Sequence, residues 1–217
     1  MSNAPLGKNP LGGNAGSGNP LEELREIRSM MERSSRFISL SGLSGIFAGV
    51  FALVGAGAAY WYLDLSFPEK TYHHFLNPRI FTFLFSDALL VLVLSLAVGI
   101  YLTTRQARRK GQHILDKTSK RMLFNLAIPL AAGGVFTLAL LPWAPVLIAP
   151  ATLIFYGLAL INASKFTLDD IRYLGFCEIV LGLISSFFTG YSLFFWAFGF
   201  GILHIIYGTA MYHKYEK

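Results

Sequence analysis

The chain is built of long apolar stretches separated by short polar or charged connections. A helix needs about 20 predominantly apolar residues to cross a bilayer. Six stretches approach or exceed that length, at about 37–63, 80–102, 122–141, 146–163, 171–188 and 193–212. The pattern predicts an all-α, polytopic membrane protein with six transmembrane helices in three hairpins.

The first 35 residues differ from the rest of the chain. Residues 1–18 are dominated by Gly, Asn, Pro and Ser, a composition that cannot bury enough apolar surface to fold. Over 19–35, Leu and Ile recur on one side of a helix while charged residues lie elsewhere. We expect a disordered tail over 1–18, an amphipathic cytoplasmic helix over 19–35 and a transmembrane domain over 36–217. The helix would lie on the membrane or on a partner, and a solvated stalk is the alternative.

Basic residues are concentrated in alternate connections. If the N-terminus is cytoplasmic, the segments on that side contain sixteen of the 18 Lys and Arg residues. The opposite side contains only Lys70 and Arg79. The positive-inside rule then places both termini in the cytoplasm. The same bias explains the formal net charge of +6, so we expect the lipid bilayer and no nucleic acid as a partner.

The start of the first apolar stretch also resembles a known family. Met31-Glu32-Arg33-Ser34 is followed by a run from Phe37 to Gly45 that is rich in Ser, Gly and Leu. This segment is similar to the opening of a family of small, uncharacterised bacterial inner-membrane proteins with several transmembrane spans. The resemblance implies a multi-pass protein of the inner (cytoplasmic) membrane, and it implies no activity.

One face of the first apolar stretch lacks bulky side chains. Small residues recur on it at helical spacing, namely Ser41, Gly45, Gly49, Ala52 and Ala56. Such a face lets another helix approach closely. We expect it to be a helix-packing face, and we leave open a protein partner or a homo-oligomer that uses it.

Three ionisable residues that lie well inside the apolar stretches are candidates for a site: Asp87, Glu178 and His204. Such groups are costly in a bilayer and usually mark a pathway or a pairing. Glu178 and His204 each share a helix face with glycines, and the helical rise puts both about 10 Å from the cytoplasmic side. We expect these two to face each other, with Asp87 about 10 Å nearer the outside. The pair is either a proton-linked site or a structural hydrogen bond.

Motifs of known enzymes are absent from the sequence. It contains no His-Glu-x-x-His, no Gly-x-Ser-x-Gly and no Walker loop. Cys177 has no second cysteine to pair with, and no ligand set is spaced to complete a metal shell. We expect no catalytic residue, no cofactor and no metal. The leading interpretation is a non-enzymatic membrane component that binds or anchors a partner, and the alternative is a small proton-coupled transporter that uses Glu178, His204 and Asp87.

Overall fold

The structure is a computed structural model that describes residues 21–25, 41–63, 78–109 and 117–217. The chain divides into two units, Met1–Ser35 and Arg36–Lys217. In the first unit, residues 21–25 are helical, and Leu21 and Leu24 are exposed. The tail expected over 1–18, and most of the amphipathic helix expected over 19–35, lie outside the described residues.

The described part of the second unit contains six helices. They are α1 at Gly42–Leu63, α2 at Pro78–Arg109, α3 at Lys117–Leu140, α4 at Ile148–Ser164 and α5 at Asp170–Phe187. The last helix, α6, runs without a break through an α-helical start at Ser192–Trp196, a π-helix at Ala197–Leu203 and an α-helical end at His204–Tyr215. Short 3₁₀ turns at Pro145–Leu147 and Thr189–Tyr191 lead into α4 and α6. Every regular element in these ranges is helical, as expected.

Five helices in the described ranges are long and apolar enough to cross a membrane. They are Gly42–Leu63, Pro78–Arg109, Lys117–Leu140, Pro145–Ser164 and Thr189–Tyr215. Their bounds lie close to those of the expected stretches, although α2 continues into the basic connection as far as Arg109. The 18-residue helix α5 is set apart from the five because it contains Asp170, Arg172 and Glu178.

Glycines allow α4 and α5 to pack with their backbones in contact. Gly157 and Gly175 lie opposite each other, and a Cβ atom on Gly157 would lie 2.5 Å from the carbonyl oxygen of Gly175. The reverse substitution would place a Cβ atom 2.7 Å from the carbonyl oxygen of Gly157. A larger residue at either position would therefore push the helices apart, since backbone atoms cannot move aside as a flexible side chain can.

The small-residue face of α1 packs against α6 in the same way. A Cβ atom on Gly42 would lie 2.5 Å from the carbonyl oxygen of Gly208, and one on Gly49 would lie 2.6 Å from that of Gly201. Gly45 also lies against Gly208, while Ala52 and Ala56 are buried. Part of the face expected from the sequence is thus occupied by a helix of the same chain. Large apolar side chains remain exposed elsewhere on α1, among them Phe47, Val50 and Val54.

The glycine contacts produce two closely packed helix pairs, α4 with α5 and α1 with α6. Helix α3 packs on the outer side of α4, and α2 packs on α1. The buried faces of α5 and α6 include the positions expected from the sequence, Gly175, Glu178, Gly182 and Ser185 on α5 and Gly201, His204, Gly208 and Met211 on α6. These faces pack mainly against α4 and α1 respectively, and they approach each other near Glu178.

A proline in α3 is matched by an asparagine in α4. Pro129 has no N–H to donate to the carbonyl oxygen of Asn125, four residues earlier. The Nδ2 atom of Asn162 donates to that oxygen at 2.8 Å. The Asn125 side chain bonds within its own helix, to the carbonyl oxygen of Arg121. The backbone bond lost at the proline is therefore replaced by a bond between helices.

The end of α6 is bonded to the starts of two other helices. The Nζ atom of Lys214 lies 2.9 Å from Oδ2 of Asp170, and the hydroxyl of Tyr215 donates to the same oxygen at 2.6 Å. Burial by itself would raise the pKa of the Asp170 carboxyl, but the hydrogen bonds from Tyr215 and Lys214 outweigh it and hold that pKa below its ordinary value. The Glu216 carboxylate accepts the backbone N–H of Gly42. These bonds hold α1 and α5 to the end of α6.

The bond between α3 and α4 gives a prediction for a double-mutant cycle. Asn162→Leu removes the donor to the Asn125 oxygen, so the free energy of unfolding should fall by about 1 kcal/mol. In a Pro129→Ala background the alanine N–H can donate to the same oxygen, so Asn162→Leu should cost less there. Reversible unfolding of the four proteins in detergent micelles measures both costs. Equal costs in the two backgrounds would show that the two groups do not share this carbonyl.

Candidate functional site

Glu178 on α5 and His204 on α6 lie in contact inside the helix bundle. Nδ1 of His204 is 3.5 Å from Oε1 of Glu178. Glu178 is fully buried, and His204 is 7% exposed. The contact predicted from the depth of the two residues and from their glycine-bearing faces is present in the structure.

The π-helical segment of α6 sets the position of the His204 ring. Nδ1 of His204 lies 3.0 Å from the carbonyl oxygen of Gly199, near the start of the π-helix. The backbone N–H of His204, at the end of the π-helix, bonds to the carbonyl oxygen of Gly201. Because a carbonyl oxygen can only accept, Nδ1 carries the hydrogen. π-Helical turns within α-helices occur frequently at functional sites.

Tyr156 on α4 bonds to the other ring nitrogen. Its hydroxyl oxygen lies 2.8 Å from Nε2 of His204. With the hydrogen on Nδ1, a neutral ring accepts the Tyr156 O–H at Nε2, and a protonated ring donates to the same oxygen. The ring of Phe200 covers both groups, with its centroid 4.9 Å from that of Tyr156 and 5.8 Å from that of His204. We refer to Tyr156, Glu178 and His204 as the buried cluster.

The Glu178 carboxylate is buried without a hydrogen bond from the part of the chain that the structure describes. Neither of its oxygens has a hydrogen-bond partner among the described residues. Its 3.5 Å approach to Nδ1 is close enough for an ion pair, but the N–H of that nitrogen bonds to the Gly199 oxygen. A buried carboxylate has to be neutral or be matched by a nearby positive charge. The His204 ring is placed to supply that charge when it is protonated at Nε2.

Gly199 provides the space that the Glu178 side chain occupies. A Cβ atom on Gly199 would lie 2.5 Å from Oε2 of Glu178 and 2.6 Å from Cδ2 of Leu153. The same residue supplies the carbonyl oxygen that holds the His204 ring. A side chain at position 199 would therefore displace the carboxylate, even if the π-helix itself were kept.

Asp87, the third ionisable residue singled out from the sequence, lies apart from the buried cluster. It is on α2 and faces α1, where a Cβ atom on Gly55 would lie 3.3 Å from its Oδ2. It is partly exposed, and its carboxylate has no hydrogen bond or ion pair to another described residue. Across 21–25, 41–63, 78–109 and 117–217, no three His, Cys, Asp or Glu residues are grouped so that they could hold a metal.

Two residues of this site, Tyr156 and Gly199, are not identified as site residues by the sequence pattern. Tyr156 lies near the middle of an apolar stretch, whereas tyrosines of membrane helices are enriched at the interfaces, and that position was a usable signal. Gly199 belongs to the segment Gly199-Phe200-Gly201, which the sequence suggests only as a packing element. Its role depends on the π-helix and on the position of α5, and neither follows from residue spacing.

Comparison of the chain with known protein families, with curated proteins and with solved structures gives no match. The resemblance of the Met31–Gly45 segment therefore stays a prediction. The evidence that bears on function is the chemistry of the buried cluster, together with the distribution of charge at the helix ends.

The contact between Glu178 and His204 should be measurable as a coupling energy. His204→Leu removes the partner of a buried carboxyl group, so it should lower the free energy of unfolding by about 1–3 kcal/mol. Glu178→Leu together with His204→Leu should cost less than the sum of the two single changes. Unfolding of the four proteins in detergent micelles gives the coupling.

A matched control for this cycle is Thr82→Val on α2, where the hydroxyl bonds to the Pro78 carbonyl oxygen of its own helix. Its effect should add to that of His204→Leu, because the two residues have no common partner. Additive effects of the Glu178 and His204 changes would contradict the contact.

Proposed function

We propose that this chain is a proton-coupled transporter of the cytoplasmic (inner) membrane that crosses the membrane six times, in three hairpins, with both termini in the cytoplasm. The buried cluster is the proton-binding site. No enzymatic activity, cofactor or metal is part of the proposal. One observation carries it: the fully buried Glu178 carboxylate has no hydrogen bond among the described residues and lies 3.5 Å from a titratable ring.

Helix α5 is the sixth span in this proposal. Its 18 residues correspond to about 27 Å, close to the thickness of the hydrocarbon core. Asp170 and Arg172 lie in its first turn, where a charged side chain can reach the membrane surface. Glu178 is then the one charged residue of α5 that lies within the bilayer, and its burial between helices accounts for its presence there.

The proton would bind at Nε2 of His204, on the side of Tyr156. The Tyr156 hydroxyl donates to the neutral ring, and its rotation turns it into an acceptor when Nε2 takes up a proton. The imidazolium that forms lies beside the Glu178 carboxylate, which balances its charge. Release of the proton reverses both steps, and the buried carboxylate that is then left without a matching charge becomes neutral by taking up a proton itself. The Tyr156 hydroxyl thus donates a hydrogen bond to the neutral ring and accepts one from the protonated ring.

The two closely packed helix pairs suggest how proton binding would be coupled to movement. Tyr156 and Glu178 belong to the pair α4 and α5, while Gly199 and His204 belong to α6, which packs on α1. Protonation of His204 adds an attraction between the pairs, and deprotonation removes it. Membrane transporters commonly work by movement of one helix bundle against another about a central site. Binding of the proton would therefore favour one arrangement of the two helix pairs, and its release would favour the other.

Binding or anchoring of a partner, the leading interpretation from the sequence, is the second candidate function. Exposed basic residues favour it: Arg105, Arg108 and Arg109 end α2, and Lys117, Lys120 and Arg121 begin α3. In the proposed topology these residues lie together on the cytoplasmic side, where they would attract an acidic surface. The amphipathic helix expected over 19–35 would add a second contact.

The topology can be tested with reporter fusions. A fusion after residue 217 should report a cytoplasmic location, and a fusion within 64–79 should report the opposite side, because the basic residues are biased sixteen to two. Truncated fusions after residue 167 and after residue 190 should report opposite sides if α5 crosses the membrane. The same location for both would remove α5 from the spans and would leave five.

Proton flux tests the proposed activity. Purified protein in liposomes that contain a pH-sensitive dye should carry protons down an imposed gradient. Glu178→Gln keeps the shape of the side chain but cannot balance the imidazolium, and Tyr156→Phe removes the proton donor to Nε2. Each should lower the flux at least about tenfold.

Tyr173→Phe is the matched control for the flux assay, since Tyr173 is an exposed residue of α5. It should leave the flux unchanged. The transporter proposal would be wrong if wild-type protein carried no protons with the gradient imposed in either direction. It would also be wrong if the proton flux were equal in wild-type protein and the three variants. The buried cluster would then be a structural bond, and partner binding would become the better candidate.

A further inference from the structure

A groove of about 350 Å³ lies between α3 and α4 on the surface of the bundle. Its lining is almost entirely apolar and consists of Pro129, Phe155, Leu158, Ile161, Asn162 and Lys165. Leu158 is 42% exposed, so the groove is open toward the surroundings of the protein. Within a membrane those surroundings are lipid chains.

The groove ends where α3 and α4 come into close contact, and it begins beside the proline of α3. A Cβ atom on Gly133 would lie 2.5 Å from Cβ of Phe155, so α3 and α4 are in close contact at that level. One turn earlier, Pro129 has no N–H, and its kink-inducing ring lines the groove. The bond from Asn162 to the Asn125 oxygen holds the two helices together on the far side of the proline.

The length of the groove matches one leaflet of a bilayer. Its lining runs along α4 from Phe155 to Lys165, ten residues that correspond to about 15 Å. The hydrocarbon core of a bilayer is about 30 Å thick, so each leaflet contributes half of it. A single acyl chain that lies along α4 would therefore extend from Phe155 to the level of the headgroups.

The headgroup end of the groove is basic. Lys165 follows the last residue of α4, is exposed and has no ion pair to another described residue. Met122 packs against Ala163 at this level, which brings the start of α3 beside the end of α4. The exposed residues Lys120 and Arg121 therefore lie at the same end as Lys165. An anionic headgroup above the acyl chain would meet these positive charges.

We propose that this groove is a binding site for one anionic phospholipid, whose acyl chain lies against Pro129 and Leu158 and whose phosphate is bound by Lys165. Basic pockets between transmembrane helices are known to hold anionic lipid headgroups. The site is separate from the buried cluster and does not depend on the proton-coupled transport proposed above. It depends only on α3 and α4 lying in a bilayer.

Native mass spectrometry of the full chain in detergent tests the proposal. The protein is incubated with equal amounts of palmitoyl-oleoyl phosphatidylglycerol and the matching phosphatidylcholine, and the retained lipid is counted. Wild-type protein should retain one phosphatidylglycerol in preference to phosphatidylcholine. Lys165→Ala should lower that preference about fivefold, as expected for the loss of one basic contact. Lys217→Ala, an exposed lysine outside the groove, should leave it unchanged.

The apolar part of the site has its own variant and control. Leu158→Trp should fill the groove and lower the retention of both lipids, whereas Leu183→Trp, on the exposed side of α5, should not. Size-exclusion chromatography shows whether each variant is folded, and Lys165→Gln replaces Lys165→Ala if the latter is not. Soluble glycerol 3-phosphate should not displace the lipid, because it lacks the acyl chain.

Three results would overturn the site. The first is equal retention of the two lipids by wild-type protein. The second is a preference for phosphatidylglycerol in folded Lys165→Ala or Lys165→Gln that is as large as in wild-type protein. The third is displacement of the lipid by glycerol 3-phosphate, which would show that a phosphate ion alone is bound. Loss of proton flux in the liposome assay would change none of these results, so the two proposals fail separately.

Discussion

Backbone contact at glycines is the constraint on which the rest of this structure depends. Where α4 crosses α5, and where α1 crosses α6, the carbonyl oxygen of one helix occupies the position that a Cβ atom of the other would take. In a bilayer the hydrophobic effect does not drive helices together, because lipid chains are as apolar as the side chains. Association then depends on dispersion contacts and polar bonds, and both increase as the backbones approach.

The close packing of the two helix pairs determines where the polar groups can lie. Tyr156 and Glu178 come from one pair and His204 from the other, so the buried cluster forms at the contact between them. Gly199 takes part in the same way as the packing glycines, except that the space it leaves is filled by a carboxylate. A site of this kind cannot change its protonation state without changing the force between the helix pairs.

Two polar arrangements in this bundle differ in whether their hydrogen bonds are complete. The carbonyl oxygen that Pro129 leaves free receives a bond from Asn162, and this arrangement is complete in itself. The Glu178 carboxylate receives no hydrogen bond from the described residues and depends on the charge of a neighbouring ring. A satisfied group stabilises one arrangement of helices. An unsatisfied group beside a titratable one responds to its surroundings, and for that reason the proposed function is centred on the Glu178 site.

The sequence by itself determined the helices of the described ranges, because hydropathy and the period of the α-helix are local properties of the chain. It also determined that Glu178 and His204 meet, since their depth and the short turn between α5 and α6 restrict them to one level. Tertiary structure alone decided that α4 contributes Tyr156 and that α6 contains a π-helix. Which helices become neighbours depends on contacts between residues far apart in the chain, such as Gly42 with Gly208, and no local pattern contains that information.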